Sequence, residues 1–144
     1  MKIAIASLCL LSTSAFAAPA MKCDEIAAVG FGSDVKIESA KIVAMTNNLP
    51  EHCAVSGVIW PEARFIVKLP TNWNNRFQMV GNGGWAGTIT TAAVDTAVRL
   101  GYASTSTDTG HSAQREPGAI FALKTAENPN AARKIGRASC RERV

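Results

Sequence analysis

The chain has 144 residues, 47% hydrophobic and 18% charged, with 11 glycines and 6 prolines. That length suits about one globular domain, and the composition excludes a disordered or collagen-like polymer. The formal net charge of +4 would suggest an anionic partner, but the two ends of the chain supply the excess.

At the N-terminus Lys2 gives a basic n-region, Ile3–Leu11 an apolar h-region, and Ser14-Ala15-Phe16-Ala17 before Ala18 a small-x-small cleavage site. Residues 1–17 therefore read as the signal peptide of an exported protein, secreted or periplasmic, with cleavage after Ala20 the weaker alternative. Ile3–Ala20 is interrupted by Ser7, Ser12, Thr13 and Ser14, so it is not read as a membrane span. At the other end Ile135–Val144 reads IGRASCRERV, with no apolar period. Those residues match one reading frame of a common sequencing adapter, ATC GGA AGA GCG TCG TGT AGG GAA AGA GTG, which also takes in part of the Lys134 codon. Residues 134–144 are accordingly read as adapter read-through, not native sequence, which leaves 18–133 as the mature segment.

Without these ends the basic residues fall from 15 to 10 and the acidic residues from 11 to 10, so the net charge is zero. No nucleic-acid partner is expected, nor a membrane once the signal is cleaved. Cys9 and Cys140 leave with the ends, and Cys23 and Cys53 remain. In an oxidising compartment their simplest state is one disulfide. His52 beside Cys53 is not a metal pair, because adjacent side chains rarely share an ion and no third ligand stands at finger-like spacing. No metal site is expected.

In chain order, Lys36–Thr46 partly alternates and reads as a strand closed by Asn47-Asn48-Leu49-Pro50. Cys53–Trp60 and Ala63–Leu69 are apolar, β-branched runs joined by Pro61-Glu62, the pattern of a hairpin. Pro70 ends the second run, and Thr71-Asn72-Trp73-Asn74-Asn75 is turn chemistry. Arg76–Val80 is short, apolar and followed by glycine, as a buried strand would be. The period then changes: Ile89, Ala92, Ala93, Thr96, Ala97 and Leu100 form a helical stripe, with Gly101 as its C-terminal cap. Tyr102–Thr107 returns to strand. Strand, glycine-rich turn, helix and strand make a βαβ unit, so the fold class is α/β, with antiparallel strands leading into a parallel pair. Ala119–Arg133 is alanine-rich and weakly helical, with a break at Pro129.

Between the strand and the helix lies Gly81-Asn82-Gly83-Gly84-Trp85-Ala86-Gly87. Its glycines permit positive φ and leave backbone N–H groups uncovered at the positive end of a helix, the chemistry of an anion or oxyanion site. One reading is a nicotinamide-dinucleotide fingerprint, Gly81-x-Gly83-x-x-Ala86 with Asp108 near the ribose position. The export signal and the strands ahead of the loop weigh against it. In the other reading the loop donates N–H groups to the oxyanion of a tetrahedral intermediate in a hydrolase. Thr107-Asp108-Thr109-Gly110-His111 closes the next strand, and there Asp108 and His111 read as support for the loop. No G-x-S-x-G occurs: Ser104 and Ser106 lie within a strand and Ser56 within the hairpin. A hydrolase so organised would carry its nucleophile elbow after the next strand, where the adapter-like tail begins. A non-catalytic exported binding module is the remaining class.

Several pieces resemble the tannase and feruloyl esterase family of secreted α/β-hydrolases. They are Leu49-Pro50-Glu51-His52-Cys53-Ala54-Val55-Ser56-Gly57, the run Ile66–Phe77 (IVKLPTNWNNRF), the glycine loop, and Gly101-Tyr102-Ala103 with the Thr107–His111 segment, in that order. The resemblance implies a serine esterase acting on small esters of phenolic or other aromatic acids. Family members run on for several hundred residues, with a C-S-x-G-G nucleophile segment, a lid domain that often holds calcium, and a late Asp and His. None of those triad positions matches a residue here. The expected fold is thus the N-terminal part of an α/β-hydrolase sheet, truncated before the nucleophile elbow and inactive alone, with no cofactor of its own. Its contribution would be oxyanion N–H groups at Gly84 or Gly83 and Trp85 as a wall of the acyl pocket. The resemblance also places Cys23 and Cys53 as the family's N-terminal disulfide.

Overall fold

A computed structural model describes residues 21–46, 48–83, 86–117 and 120–123. A short 3-10 helix (Asp24–Ala28) precedes β1 (Val35–Val43), β2 (His52–Ile59), β3 (Ala63–Pro70), β4 (Phe77–Val80), α1 (Thr91–Arg99) and β5 (Ala103–Thr107). A second 3-10 turn covers Ile120–Ala122. The five strands form one sheet in the order β1-β2-β3-β5-β4. Every neighbouring pair is antiparallel except β4 and β5, which run parallel on either side of α1 in the chain. This is the mixed α/β arrangement expected, with the βαβ unit at one edge. No helix among the described residues is long and apolar enough to cross a membrane.

The hairpin strands β2 and β3 follow from runs of apolar and β-branched residues around Pro61-Glu62. The β2–β3 hairpin turns through the cis peptide Trp60–Pro61. Helix α1 buries Val94, Ala97 and Val98, whose three- and four-residue spacing puts them on one stripe. Beneath that stripe Ser104 and Ser106 of β5 are fully buried. Lys68, directly across from Ser104 on β3, reaches up to Asp95 of the helix at 2.5 Å.

The C-terminal end of α1 explains the asparagine-rich turn before β4. Gly101 has φ +80° and gives its N–H to the Val98 carbonyl at 2.9 Å, the left-handed closure that only glycine adopts freely. Asn74 Nδ2 donates to the Leu100 carbonyl at 2.8 Å, and the Asn74 backbone N–H donates to the Gly101 carbonyl at 2.9 Å. The carbonyl of the C-cap residue Leu100 is thereby satisfied from a loop 26 residues upstream, which also takes up the carbonyl of the capping Gly101.

The two faces of the sheet are covered differently. Side chains alternate along a strand, so α1 lies on the face of Lys68, Ser104 and Ser106, while Cys53, Val55 and Val67 point the other way. Cys53 is bonded to Cys23, with a Cα–Cα distance of 5.7 Å, and this ties the first 3-10 helix to the β1–β2 side of that second face.

Three expectations need correction. Arg76–Val80 does not form a buried strand: β4 begins at Phe77 and is an edge, with Phe77 60% and Met79 37% exposed. An apolar run bounded by turn residues says that a strand forms but not what covers it. Here β4 pairs only with β5 among the described residues, and α1 packs on the face opposite Phe77 and Met79. The first strand stops at Val43, after which Thr46 and Leu49 close a small loop by an isolated bridge. Within the expected Ala119–Arg133 helix, Ile120–Ala122 is a 3-10 turn; 119 and 124–133 lie outside the described residues, as do the signal peptide and the tail.

Candidate functional site

Val80 at the end of β4 is paired with Ser106 near the end of β5, so two parallel strands deliver their carboxyl ends side by side. The glycine loop leaves the first and the Thr107–His111 segment leaves the second. In open α/β sheets this is where sites are built.

Asn82 joins the two segments. Its Nδ2 donates to the Thr107 carbonyl at 2.5 Å, and its Oδ1 accepts the Thr90 hydroxyl at 3.0 Å. Thr90 is the N-cap of α1, yet its side chain makes no bond within its own helix. Its backbone N–H instead donates to Ser106 Oγ at 3.2 Å, satisfying one of the donors that a helix start leaves open.

The far end of the loop is pinned at Gly87. This residue has φ +53°, and a Cβ built on it would stand 2.5 Å from His111 Cδ2 and 2.8 Å from the Ala113 nitrogen. Its carbonyl accepts the Ala113 N–H at 3.2 Å. Gly87→Ala is therefore expected to cost about 1–3 kcal/mol of stability through crowding and left-handed strain, read as a lower midpoint in urea unfolding. At Gly83, by contrast, an added Cβ would meet nothing within 4 Å, and the residue is exposed. Protein packing demands glycine at Gly87 and leaves open space at Gly83. Gly84 and Trp85 lie outside the described residues.

Asp108 is buried, 8% exposed, and its Oδ1 accepts the backbone N–H groups of Arg64 and Gly110, both at 2.9 Å. The Asp108 N–H returns a bond to the Arg64 carbonyl at 3.1 Å. Burial pushes the carboxyl above the usual carboxylate range, against the opposing pull of the Gly110 and Arg64 N–H groups and of nearby His111. His111 is 3% exposed, lies 3.3 Å from the Thr109 hydroxyl through Nδ1, and stacks on Phe121 with ring centroids 3.7 Å apart. These two side chains thus face into the protein. Asp108 is buried with Oδ1 committed to two backbone N–H groups, unlike the exposed carboxylate that a ribose contact needs, and three antiparallel strands precede the loop.

The other candidates are also accounted for. His52 is 1% exposed and donates through Nδ1 to the Pro50 carbonyl at 2.8 Å, and Cys53 is in the disulfide. Among the described residues there is no group of three or more His, Cys, Asp or Glu that could hold a metal ion. Reading the sequence for motifs found the glycine loop but passed over Asn82, Thr90 and Phe121. The signal available for Asn82 was a lone amide among glycines directly after a strand.

A family model described as tannase and feruloyl esterase matches residues 47–141. The mono(2-hydroxyethyl) terephthalate hydrolase of Piscinibacter sakaiensis is 33% identical over 90 residues, 51% of this chain and 15% of that protein. An uncharacterized esterase of Agrobacterium fabrum is 33% identical over 138 residues, 76% of this chain and 25% of that protein. Among solved structures, an esterase from Aspergillus oryzae superposes with a TM-score of 0.63 at 21% identity, covering 78% of this chain and 25% of its own. Feruloyl esterase B from the same organism gives 0.56 at 18% identity with the same coverage; at such identities the likeness is one of fold. The chain spans a quarter or less of the length of each of these relatives.

Proposed function

The chain belongs to the tannase and feruloyl esterase family, and from that premise we propose that it is the N-terminal part of an exported serine-type carboxylic ester hydrolase acting on esters of phenolic or other aromatic acids. The observation that carries this reading is the glycine loop, anchored at both ends and open over Gly83, at the carboxyl ends of two parallel strands. When a nucleophile adds to an ester carbonyl, the carbonyl oxygen becomes an oxyanion. Backbone N–H groups held about 2.7–3.1 Å from it stabilise the transition state, each worth roughly 3–4 kcal/mol where water is excluded. Gly83 and Gly84 are assigned that donation, and Trp85 a wall of the acyl pocket. Ser104 and Ser106 are fully buried beneath α1 and no serine of residues 18–133 stands in a G-x-S-x-G elbow, so the attacking serine is assigned to sequence following residue 133, with 134–144 not native. Aromatic acyl groups are favoured because a feruloyl esterase and a terephthalate monoester hydrolase stand among the similar proteins. Export follows from the signal at 1–17 and accords with the disulfide.

The test is to continue the reading frame in the source DNA past the Arg133 codon, express the product, and assay methyl ferulate, methyl gallate and mono(2-hydroxyethyl) terephthalate against methyl butyrate. The expected result is turnover of at least one aromatic ester in preference to the butyrate, and none by the 144-residue chain. Equal turnover of all four would overturn the aromatic assignment, and hydrolysis by the chain alone would overturn the placement of the serine.

A further inference from the structure

We propose that Asn82 is a positioning residue, an amide bracket that fixes the stem of the glycine loop between the end of β5 and the start of α1 and so sets the orientation of the Gly83 backbone N–H. The inference rests on the oxyanion reading of that loop.

Two properties single out this side chain. It spends both ends of its amide on different elements: Nδ2 on the Thr107 carbonyl, which can only accept, and Oδ1 on the Thr90 hydroxyl, which is free to donate. Carboxylates and aliphatic side chains cannot do both. The bracket is also supported from behind, since Thr90 is held by Ser106 Oγ and leaves its own helix without a side-chain cap. An N-cap threonine normally bonds the first turn of its helix, a contribution of about 1 kcal/mol. Here the hydroxyl is diverted to the loop.

The consequence is geometric. Asn82 fixes one end of the loop to β5 and α1, while Gly87 fixes the other against His111 and Ala113. Only residues 83 to 86 span the interval. Gly83 directly follows Asn82, so a bracket on the Asn82 side chain acts on the very peptide that carries the Gly83 N–H. A donor array must be oriented before the charge develops if it is to stabilise a transition state.

The test uses the disulfide-intact chain and four variants: Asn82→Ala, Asn82→Asp, Thr90→Val and Thr90→Ser. The 15N order parameter of Gly83 is expected to fall from its wild-type value toward the flexible range, below about 0.6, in the first three. Thr90→Ser, which retains the hydroxyl, is expected to keep the wild-type value. Val94 and Val98, fully buried on the inner face of α1, should stay near the rigid value of about 0.85 throughout. In the product of the continued reading frame, Asn82→Asp is expected to lower kcat roughly ten- to a hundredfold at nearly unchanged KM, with Thr90→Ser again close to wild type. Unchanged Gly83 order in the first three variants would overturn the proposal, as would loss of order at Val94 and Val98 along with it. A wild-type product with no esterase activity would overturn the oxyanion reading instead, and the order parameters would then decide the bracket on their own.

Discussion

Replacing both Cys23 and Cys53 by serine is expected to lower stability by roughly 3–4 kcal/mol. The bridge joins residues 30 apart, and in the chain-entropy account closing a loop of that length in the unfolded state is worth about that much. Structure adds a second reason. The 3-10 helix Asp24–Ala28 buries none of its own residues and has no side-chain cap, so burial of its own side chains gives it little hold on the sheet. Cys53, in contrast, is 7% exposed near the start of β2. Cutting the bridge therefore releases residues before β1 and bares part of the second face of the sheet. Urea unfolding of the double variant, with the oxidised wild type alongside, measures the difference. A loss below about 1 kcal/mol would mean that the N-terminal segment docks through contacts other than the bridge.

Where information is local, the fold could be read from the amino-acid order. The hairpin is encoded by two β-branched runs around Pro61-Glu62, and α1 by its apolar stripe, ended by a glycine that adopts φ +80°. The βαβ unit followed from the change of period between Val80 and Ile89, and the Cys23–Cys53 bridge from counting what remained after the two ends were set aside. What escaped depends on residues distant in sequence. Asn74 closing a helix 26 residues on, and Arg64 offering its N–H to Asp108 across 44, need the register of the sheet before they can be seen. Exposure of β4 escaped for a related reason: Phe77 and Met79 read as core by composition, but burial is decided by which element packs on which face. The candidate site divides the same way. Glycine content announced the loop, whereas its two anchors, Asn82 and Gly87, work through β5 and His111 and are visible only once the strands are paired.

Asp108→Ala is expected to cost roughly 2–4 kcal/mol, while Asp108→Asn should cost less than about 1. Alanine leaves the N–H groups of Arg64 and Gly110 without their acceptor in a buried position, at about 1–3 kcal/mol for each donor so stranded. Asparagine keeps an oxygen in place of Oδ1. The same pair separates the two contributions of the carboxylate, because burial raises its pKa in the folded protein. The folded state then holds a proton at pH values where the unfolded chain, near the ordinary value of about 3.9, has already lost it. By linkage, this group's contribution to stability falls as pH rises from that ordinary value through the raised one, and is flat above. Urea midpoints of wild type and Asp108→Asn between pH 3.5 and 7 should therefore diverge, with the asparagine variant gaining relative to wild type as pH rises. Their running in parallel would show that the carboxylate is as well solvated in the fold as outside it. Since Asp108 holds the turn that presents His111 to Gly87, the alanine variant should also loosen the far anchor of the glycine loop, seen as faster exchange of the Ala113 amide that bonds the Gly87 carbonyl.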